Sequence, residues 1–490
     1  MAKPHPFFLL LCLCLLSITT VATPAITPQQ QTAYHELLKL KLKHGRSLVQ
    51  DQLKSAPDNA VNILLENYSD FLELCVQQNK QEYDKLLSAQ EERLEALEDK
   101  SRKDVWDRYA TAEVRMQLAM CKLLFGNRLS AAWDFRKAFQ EYSKITRQHP
   151  SFLPAKKNLG VLQVLIGSVP DQYTWFLNII GLKGSVPQGM QNLKAATSLE
   201  NPFNQEAQLL HTVLLHLTAQ DKEQQALRQA KRLTETHQDN LLTAFVAMHL
   251  LKKSKQADAA LQIYQQKPSG AAYLPFPYLH HMAADLYLFR GDYEKSIKVN
   301  TLFLKQHKGE HYLKSANFKL YLAYALSNHP PQASWYWQQI PEAGIAEAEE
   351  DKYAARYHEK KEELIAPLMA ARLHSDGGYY TKALQELSKL KLTAATPVAV
   401  RGEYYYRKAR IYHGQDMLQQ AVPLYKNTIK LCEGSDLYFA PNAALQLGYI
   451  FAEFNKPEQA KAFFKKALSY KNHEYKNSID AKAKLALAAL

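Results

Sequence analysis

"ALQLGYIFAEFNKPEQAKAFFKKAL", residues 444–468, sets apolar and small residues three and four apart, breaks at EFNKPEQ, and resumes the same spacing. That pattern predicts two amphipathic helices joined by a short turn, with Pro457 early in the second helix, where its missing N–H costs nothing. Gly448 and Ala460 carry almost no side chain, so the two helices can approach backbone to backbone, while Phe451 and Phe464 fill the wedge toward the next pair. A single hairpin cannot bury its apolar face alone, so the stretch predicts copies stacked beside it.

The copies are present. Taking the small residue of the second helix as the marker and walking toward the N-terminus gives Ala421, Ala383, Ala333, Ser296, Ala259, Ala226, Gly189 and Ala131, at intervals of 39, 38, 50, 37, 37, 33, 37 and 58 residues. Further matching positions are Ala409, Tyr412 and Tyr425 around Ala421, Ala284 and Tyr287 before Ser296, and Phe135 and Ala138 after Ala131. Glycine and proline are scarce at 17 and 21, and the alternation that marks strands is nearly absent. The expected class is all-α.

Leu447, Gly448, Phe451, Ala460, Phe464 and Ala467 fall at the offsets of the tetratricopeptide repeat family, which the sequence resembles. It departs from that pattern with Ala444 where the family favours Trp and Asn472 where it favours Pro. The resemblance implies a right-handed α-solenoid of stacked antiparallel hairpins, about nine of them plus an N-terminal helical cap. It also implies a scaffold or adaptor without catalytic residues.

The two irregular intervals locate insertions. Residues 341–364, PEAGIAEAEEDKYAARYHEKKEEL, are acidic and then mixed, and most simply lengthen a helix on a solvated face. Residues 167–189 read GSVPDQYTWFLNIIGLKGSVPQG, with the same four letters on both sides of an apolar segment. Each GSVP is expected to end one helix through a left-handed glycine and to start the next through a serine cap, at Ser168 and Ser185. Between them an inserted helix, roughly residues 171–181, carries Tyr173, Trp175 and Phe176 and is apolar nearly all round, so it is either a buried plug or a docking element. Pro170, Trp175, Leu177, Gly181, Gly184, Gly189 and Leu193 make this segment similar to one in the tetratricopeptide repeat 39-like family and related bacterial envelope proteins.

At the N-terminus Lys3 precedes an apolar run from Phe7 to Leu16 and small residues at Ala22 and Ala25, the layout of an export signal. Neither Cys12 nor Cys14 follows a small residue, as a lipoprotein signal requires. The expected organisation is a signal peptide over 1–25, a helical cap over 26–105 that lacks the repeat markers, and a superhelix over 106–490 with the inserted helix at 168–186. The expected compartment is periplasmic or cell-envelope. Cys75, Cys121 and Cys432 remain in the mature chain and sit in apolar surroundings, as small core residues do.

The 61 basic and 48 acidic residues give a net charge of +13, spread without a basic block or arginine stripe. Nucleic acid is therefore not an expected partner, and weak contact with an anionic membrane surface is the most that the charge suggests. No metal-ligand spacing accompanies the 17 histidines, and His280 and His281 are adjacent, which keeps them from one site on a helix. No nucleophile elbow or phosphate loop is present, HSDGG at 374–378 falls at a hairpin turn, and Glu349, Glu350, Glu362 and Glu363 lie on charged runs. The chain is expected to be no enzyme and to hold no cofactor or metal.

In the family register, first-helix residues beside the small position line the groove. For the last three repeats these are Leu368, Met369, Arg372, Tyr406, Arg407, Arg410, Leu445, Gln446 and Tyr449. Arginine beside tyrosine suits a surface for a peptide or carboxylate; the alternative is that the arginines are solvated and the tyrosines pack between hairpins. The function expected is a protein- or peptide-binding scaffold of the exported space, the alternative a glycan- or nutrient-capturing envelope protein.

Overall fold

A computed structural model describes residues 26–100, 103–169, 177, 181–218, 222–488 and 490. Among these residues lie 24 helices and no strand. Two N-terminal pairs come first, α1 (Pro28–Leu38) with α2 (Leu42–Ser55) and α3 (Ala60–Gln77) with α4 (Lys80–Glu98). Nine hairpins follow: α5 (Val105–Leu124) and α6 (Arg128–Gln148), α7 (Leu153–Gly167) and α8 (Val186–Ala196), α9 (Asn204–Thr218) and α10 (Glu223–Thr236), α11 (Leu241–Lys253) and α12 (Ala257–Gln266), α13 (Tyr278–Arg290) and α14 (Tyr293–Gln306), α15 (Leu313–Leu326) and α16 (Pro330–Gln339), α18 (Ala366–Asp376) and α19 (Tyr380–Ser388), α20 (Val398–Gly414) and α21 (Leu418–Cys432), α22 (Phe439–Glu453) and α23 (Pro457–Ser469). Helix α17 (Glu349–Glu359) stands between the sixth and seventh hairpins, and α24 (Lys476–Ala488) follows the last. Neighbouring helices pack in chain order except at α17, which lies on α15, and α18, which lies on α13 and α15; the array is an α-solenoid.

In all nine hairpins the fourth residue of the second helix is small and buried: Ala131, Gly189, Ala226, Ala260, Ser296, Ala333, Ala383, Ala421 and Ala460. One marker differs from the sequence reading. Ala260, not Ala259, takes the place, because α12 begins at Ala257; the intervals on either side become 36 and 34 residues. The closeness these residues permit is measurable. A Cβ added at Gly160 would lie 2.6 Å from the Gly189 carbonyl oxygen, and one at Gly448 2.4 Å from the Phe464 ring.

The turns repeat as well. Two residues before the second helix the backbone is left-handed at Leu40, Gln78, Gly126, Lys255, Gly291, Asn328, Gly378, Asp416 and Asn455, with φ between 52° and 90°. Six of these nine are not glycine, a conformation that costs an L-residue of order 1–2 kcal/mol and persists only where packing on both sides demands it. HSDGG at 374–378 is one such turn, as expected.

The same signature reaches into residues 26–105, where no repeat marker was expected. Gly45 is the fourth residue of α2, and a Cβ there would meet Leu37 at 2.5 Å. Tyr83 holds that place in α4; α3 accordingly lies more against α5 than against α4. The turns of these early pairs also reach the middle of the chain. Leu274 N–H donates to the Leu40 carbonyl at 2.8 Å, a Cβ at Gly309 would lie 2.8 Å from the Gln78 oxygen, and His311 Nε2 lies 3.1 Å from the Leu124 oxygen.

Two expectations for the insertions are corrected. Neither Gly167 nor Gly184 is left-handed. They are glycines because the strands of chain entering and leaving the insertion abut: a Cβ at Gly184 would lie 2.3 Å from Gly167 N. Ser185 does cap α8, accepting from Gln188 N–H at 3.4 Å, whereas Ser168 Oγ donates back to the Val164 carbonyl at 2.8 Å. Tyr173, Trp175 and Phe176 lie outside the described residues, as does the expected signal at 1–25. Residues 341–364 do not extend a solvated helix. They form α17, which buries Asp351, Ala354 and Tyr357 against the solenoid.

Candidate functional site

The first helices of successive hairpins share one face, and along much of the chain that face is closed by matched charge. Lys157 on α7 is 1 % exposed; its Nζ donates to Glu113 of α5 at 3.0 Å and to Glu206 of α9 at 2.8 Å. Tyr142 and Asn158 donate to the other side of Glu113, so both of its carboxylate oxygens have partners. Burial opposes the charge on Lys157, yet Glu113 and Glu206 outweigh it and hold the ammonium above its ordinary pKa.

A second cluster joins α11, α13, α15 and α17. Lys319 Nζ lies 2.9 Å from Asp285 and 2.8 Å from Glu350, Lys252 bonds Asp285, and His281 Nε2 lies 3.0 Å from Glu350. Burial opposes the Glu350 charge, and Lys252 and Lys319 overcome it and hold the carboxyl well below its usual range. Its neighbour Asp351 accepts from the Tyr312 N–H at 2.5 Å and the Ser315 N–H at 2.9 Å, capping α15 from another helix. Glu350 is thus drawn into the cluster while its side chain stays 37 % exposed; Glu349 is exposed and pairs with Lys352. His280 and His281 do part, His280 toward Tyr264 and His281 toward Glu350.

The face opens again at the C-terminal end. A cleft of about 620 Å³ lies between α17, α18, α20, α22 and the start of α24. Its walls include Tyr353, Tyr357, Tyr438, Phe439 and Tyr475, with Leu368, Met369 and Val400 between them. Four of the predicted groove residues line it, Leu368, Met369, Arg372 and Arg407. Arg372 donates to the Tyr353 hydroxyl, stacks 4.7 Å over that ring, and lies 3.8 Å from Asp376. Arg407 donates to Glu403 at 2.8 Å and 3.0 Å and to the Tyr438 hydroxyl at 3.3 Å.

The other predicted residues stand elsewhere. Tyr406 is buried among Tyr425, Tyr438 and Phe439, so its ring is core. Arg410 donates to Gln446 at 2.7 Å and Gln446 to Asn442 at 3.3 Å, a chain of bonds outside the cleft lining. Tyr449 is half-buried, edge-on to Phe464 at 5.3 Å. Missed by the sequence reading were Tyr353, Tyr438, Tyr475 and the carboxylates Glu362, Glu363, Asp436 and Glu474, which come from α17 and from loops between hairpins. Among the described residues no group of three His, Cys, Asp or Glu side chains is arranged to hold a metal ion, and no helix is long and apolar enough to cross a membrane.

Residues 441–474, which take in all of α22 but its first two residues and the whole of α23, match the tetratricopeptide repeat family. The chain therefore carries a tetratricopeptide repeat at residues 441–474. The matched hairpin is the last of the nine that share its small residue; its left-handed turn recurs in six of the others, is absent at Gly184 before α8, and for α9/α10 the position lies outside the described residues. The match concerns the repeat and adds nothing to the narrower resemblance around residues 166–196. No curated protein matches the chain. Similar solved structures include a human IFIT1 dimer with PPP-AAAA, at 14% identity over 90% of this chain and 95% of that one with a TM-score of 0.32. Another is a tetratricopeptide repeat protein from Parabacteroides merdae, at 17% identity over 67% of this chain and 99% of that one with a TM-score of 0.22. Overlays this loose say nothing about ligands.

Proposed function

We propose that the protein is a non-enzymatic scaffold of the exported or cell-envelope space, which receives a segment of a partner protein in the cleft between α17, α18, α20, α22 and α24. One observation carries the reading. Where Lys157 and Lys319 close the first-helix face from within, the last hairpins leave it open, aromatic-walled and large enough for several side chains. Tyrosine and arginine side by side are the residue types that dominate binding energy in such grooves. Repeat scaffolds hold partners along this face without bond-making chemistry, and the carboxylates here are engaged in ion pairs or stand apart from any nucleophile.

The test is photo-crosslinking in the cell of origin. A photoreactive residue at Val400, which lines the cleft, should trap a discrete polypeptide that the same residue at the exposed Leu199 does not. Identical products from both positions would defeat the reading. The glycan alternative draws on exposed tryptophans; Trp133 and Trp335 are 51 % and 54 % exposed but sit on the second helices α6 and α16, away from the cleft. Export is tested separately, by whether the mature chain begins near Thr23 or Ile26.

A further inference from the structure

The sequence favours a carboxylate partner, because arginine and tyrosine adjoin. The cleft points the other way. Its three cationic side chains are all committed: Lys360 to Glu474, Arg372 to Tyr353 and Asp376, and Arg407 to Glu403 and Tyr438. Its five carboxylates are Glu362, Glu363, Glu403, Asp436 and Glu474. Of these, Glu362, Glu363 and Asp436 have no ion-pair or hydrogen-bond partner among the described residues. A protein of net charge +13 thus lines this cleft with an acidic excess.

The aromatic wall agrees with that charge. Tyr353 already carries the Arg372 guanidinium 4.7 Å from its ring centre, and Tyr475 carries that of Arg356 at 5.0 Å, so these rings offer the electron-rich faces that cations prefer. Ile365, Leu368, Met369 and Val400 supply an apolar floor between the acidic loops, which suits the methylene stem of a long basic side chain. Desolvation in the cleft wall, and then the neighbouring Glu474, push the Glu362 carboxyl above its ordinary pKa, the mark of negative charge in need of a counter-charge.

We propose that this cleft takes an arginine- or lysine-bearing segment of a partner protein, its cationic head among Glu362, Glu363 and Asp436 and its stem on the apolar floor. The proposal rests on the reading of the cleft as a partner groove and adds the chemistry of what enters it.

The experiment uses the full chain and three fluorescein-labelled peptides of equal length, alternating glycine with arginine, glutamate or glutamine, read by anisotropy. The arginine peptide should bind about tenfold or more tighter than the glutamine peptide, and less tightly as salt rises. Glu363→Lys with Asp436→Lys should abolish that advantage, while Glu92→Lys with Glu95→Lys, an equal charge change at exposed positions of α4, should leave it nearly intact. Equal losses from the two double variants would mean diffuse attraction and would overturn the proposal. Tighter binding of the glutamate peptide, lost on adding Tyr438→Ala, would sink the basic-segment assignment and leave the partner groove standing. Binding of no peptide that responds to either cleft variant would remove both.

Discussion

The first-helix face behaves in two ways along one chain. From α5 to α17 it is plugged by its own ion pairs, with Lys157, Lys252 and Lys319 each gripping carboxylates from neighbouring hairpins. From α18 to α22 the same face bears Arg372 and Arg407, which lie beside an open cleft and lean on tyrosine hydroxyls and on carboxylates of their own helices. The place of the partner makes the difference. A charge matched by carboxylates of other hairpins fixes the distance between them; Arg407, no more exposed than Lys252, is matched by Glu403 of its own helix and imposes no such distance. The middle of the solenoid is built to hold its shape, and the end to meet something.

The largest expected effect breaks the plugged region. Lys319→Met removes one of the two lysines that Asp285 and Glu350 share, leaving Lys252 to face both carboxylates, and should cost about 3–5 kcal/mol in urea denaturation. A loss below about 1 kcal/mol would mean water reaches the cluster and the contrast fails. Next comes the hairpin register. Ala260→Leu forces a branched side chain between α11 and α12 and should cost about 1–3 kcal/mol, whereas Ala259→Leu, one residue away and partly exposed, should fall within about 0.5 kcal/mol. The reverse order would restore the marker read from sequence.

Acid should sharpen the contrast further. Burial holds His249, His280 and His307 at a pKa of about 4, below the ordinary 6.5, and nearby basic side chains add to it. These three are neutral when folded and take up protons when unfolded, so stability present above pH 6.5 is lost as pH falls toward 4. Hydrogen exchange at about pH 5 should therefore rise in α11 to α15 relative to about pH 7, by more than in α22 and α23, which hold none of the three. The smallest effect belongs to the cleft. Arg372→Gln should change stability by less than about 1 kcal/mol, since its partners keep access to solvent.

How far the sequence reached can be read from particular residues. Eight of nine markers fall at the fourth position of a second helix, because close backbone approach admits only Gly, Ala or Ser and so leaves a trace in composition. Ala259 and Ala260 are adjacent and equally small, so only the helix start separates them. Six of the nine turns bear the Gly, Asn or Asp that a left-handed backbone favours, but Leu40, Gln78 and Lys255 adopt it under pressure from the helices on either side, and nothing in their side chains announces it. For the site, Leu368, Tyr406 and Leu445 hold the same register position and all three are buried, so that position points between hairpins. Arg372 and Arg407 were legible as groove residues; Tyr353, Glu362 and Tyr475 were not, because they come from outside the hairpins and the repeat register has no place for them.

The abutting glycines at 167 and 184 have an outcome for how such a chain can change over generations. Because the backbone leaves and rejoins the stack at one point, the excursion between them closes a loop whose ends are already together, and lengthening or replacing it alters closure entropy by only about 0.6 kcal/mol per doubling. A change of length between them would leave the meeting point in place, and α7 and α8 would keep their register.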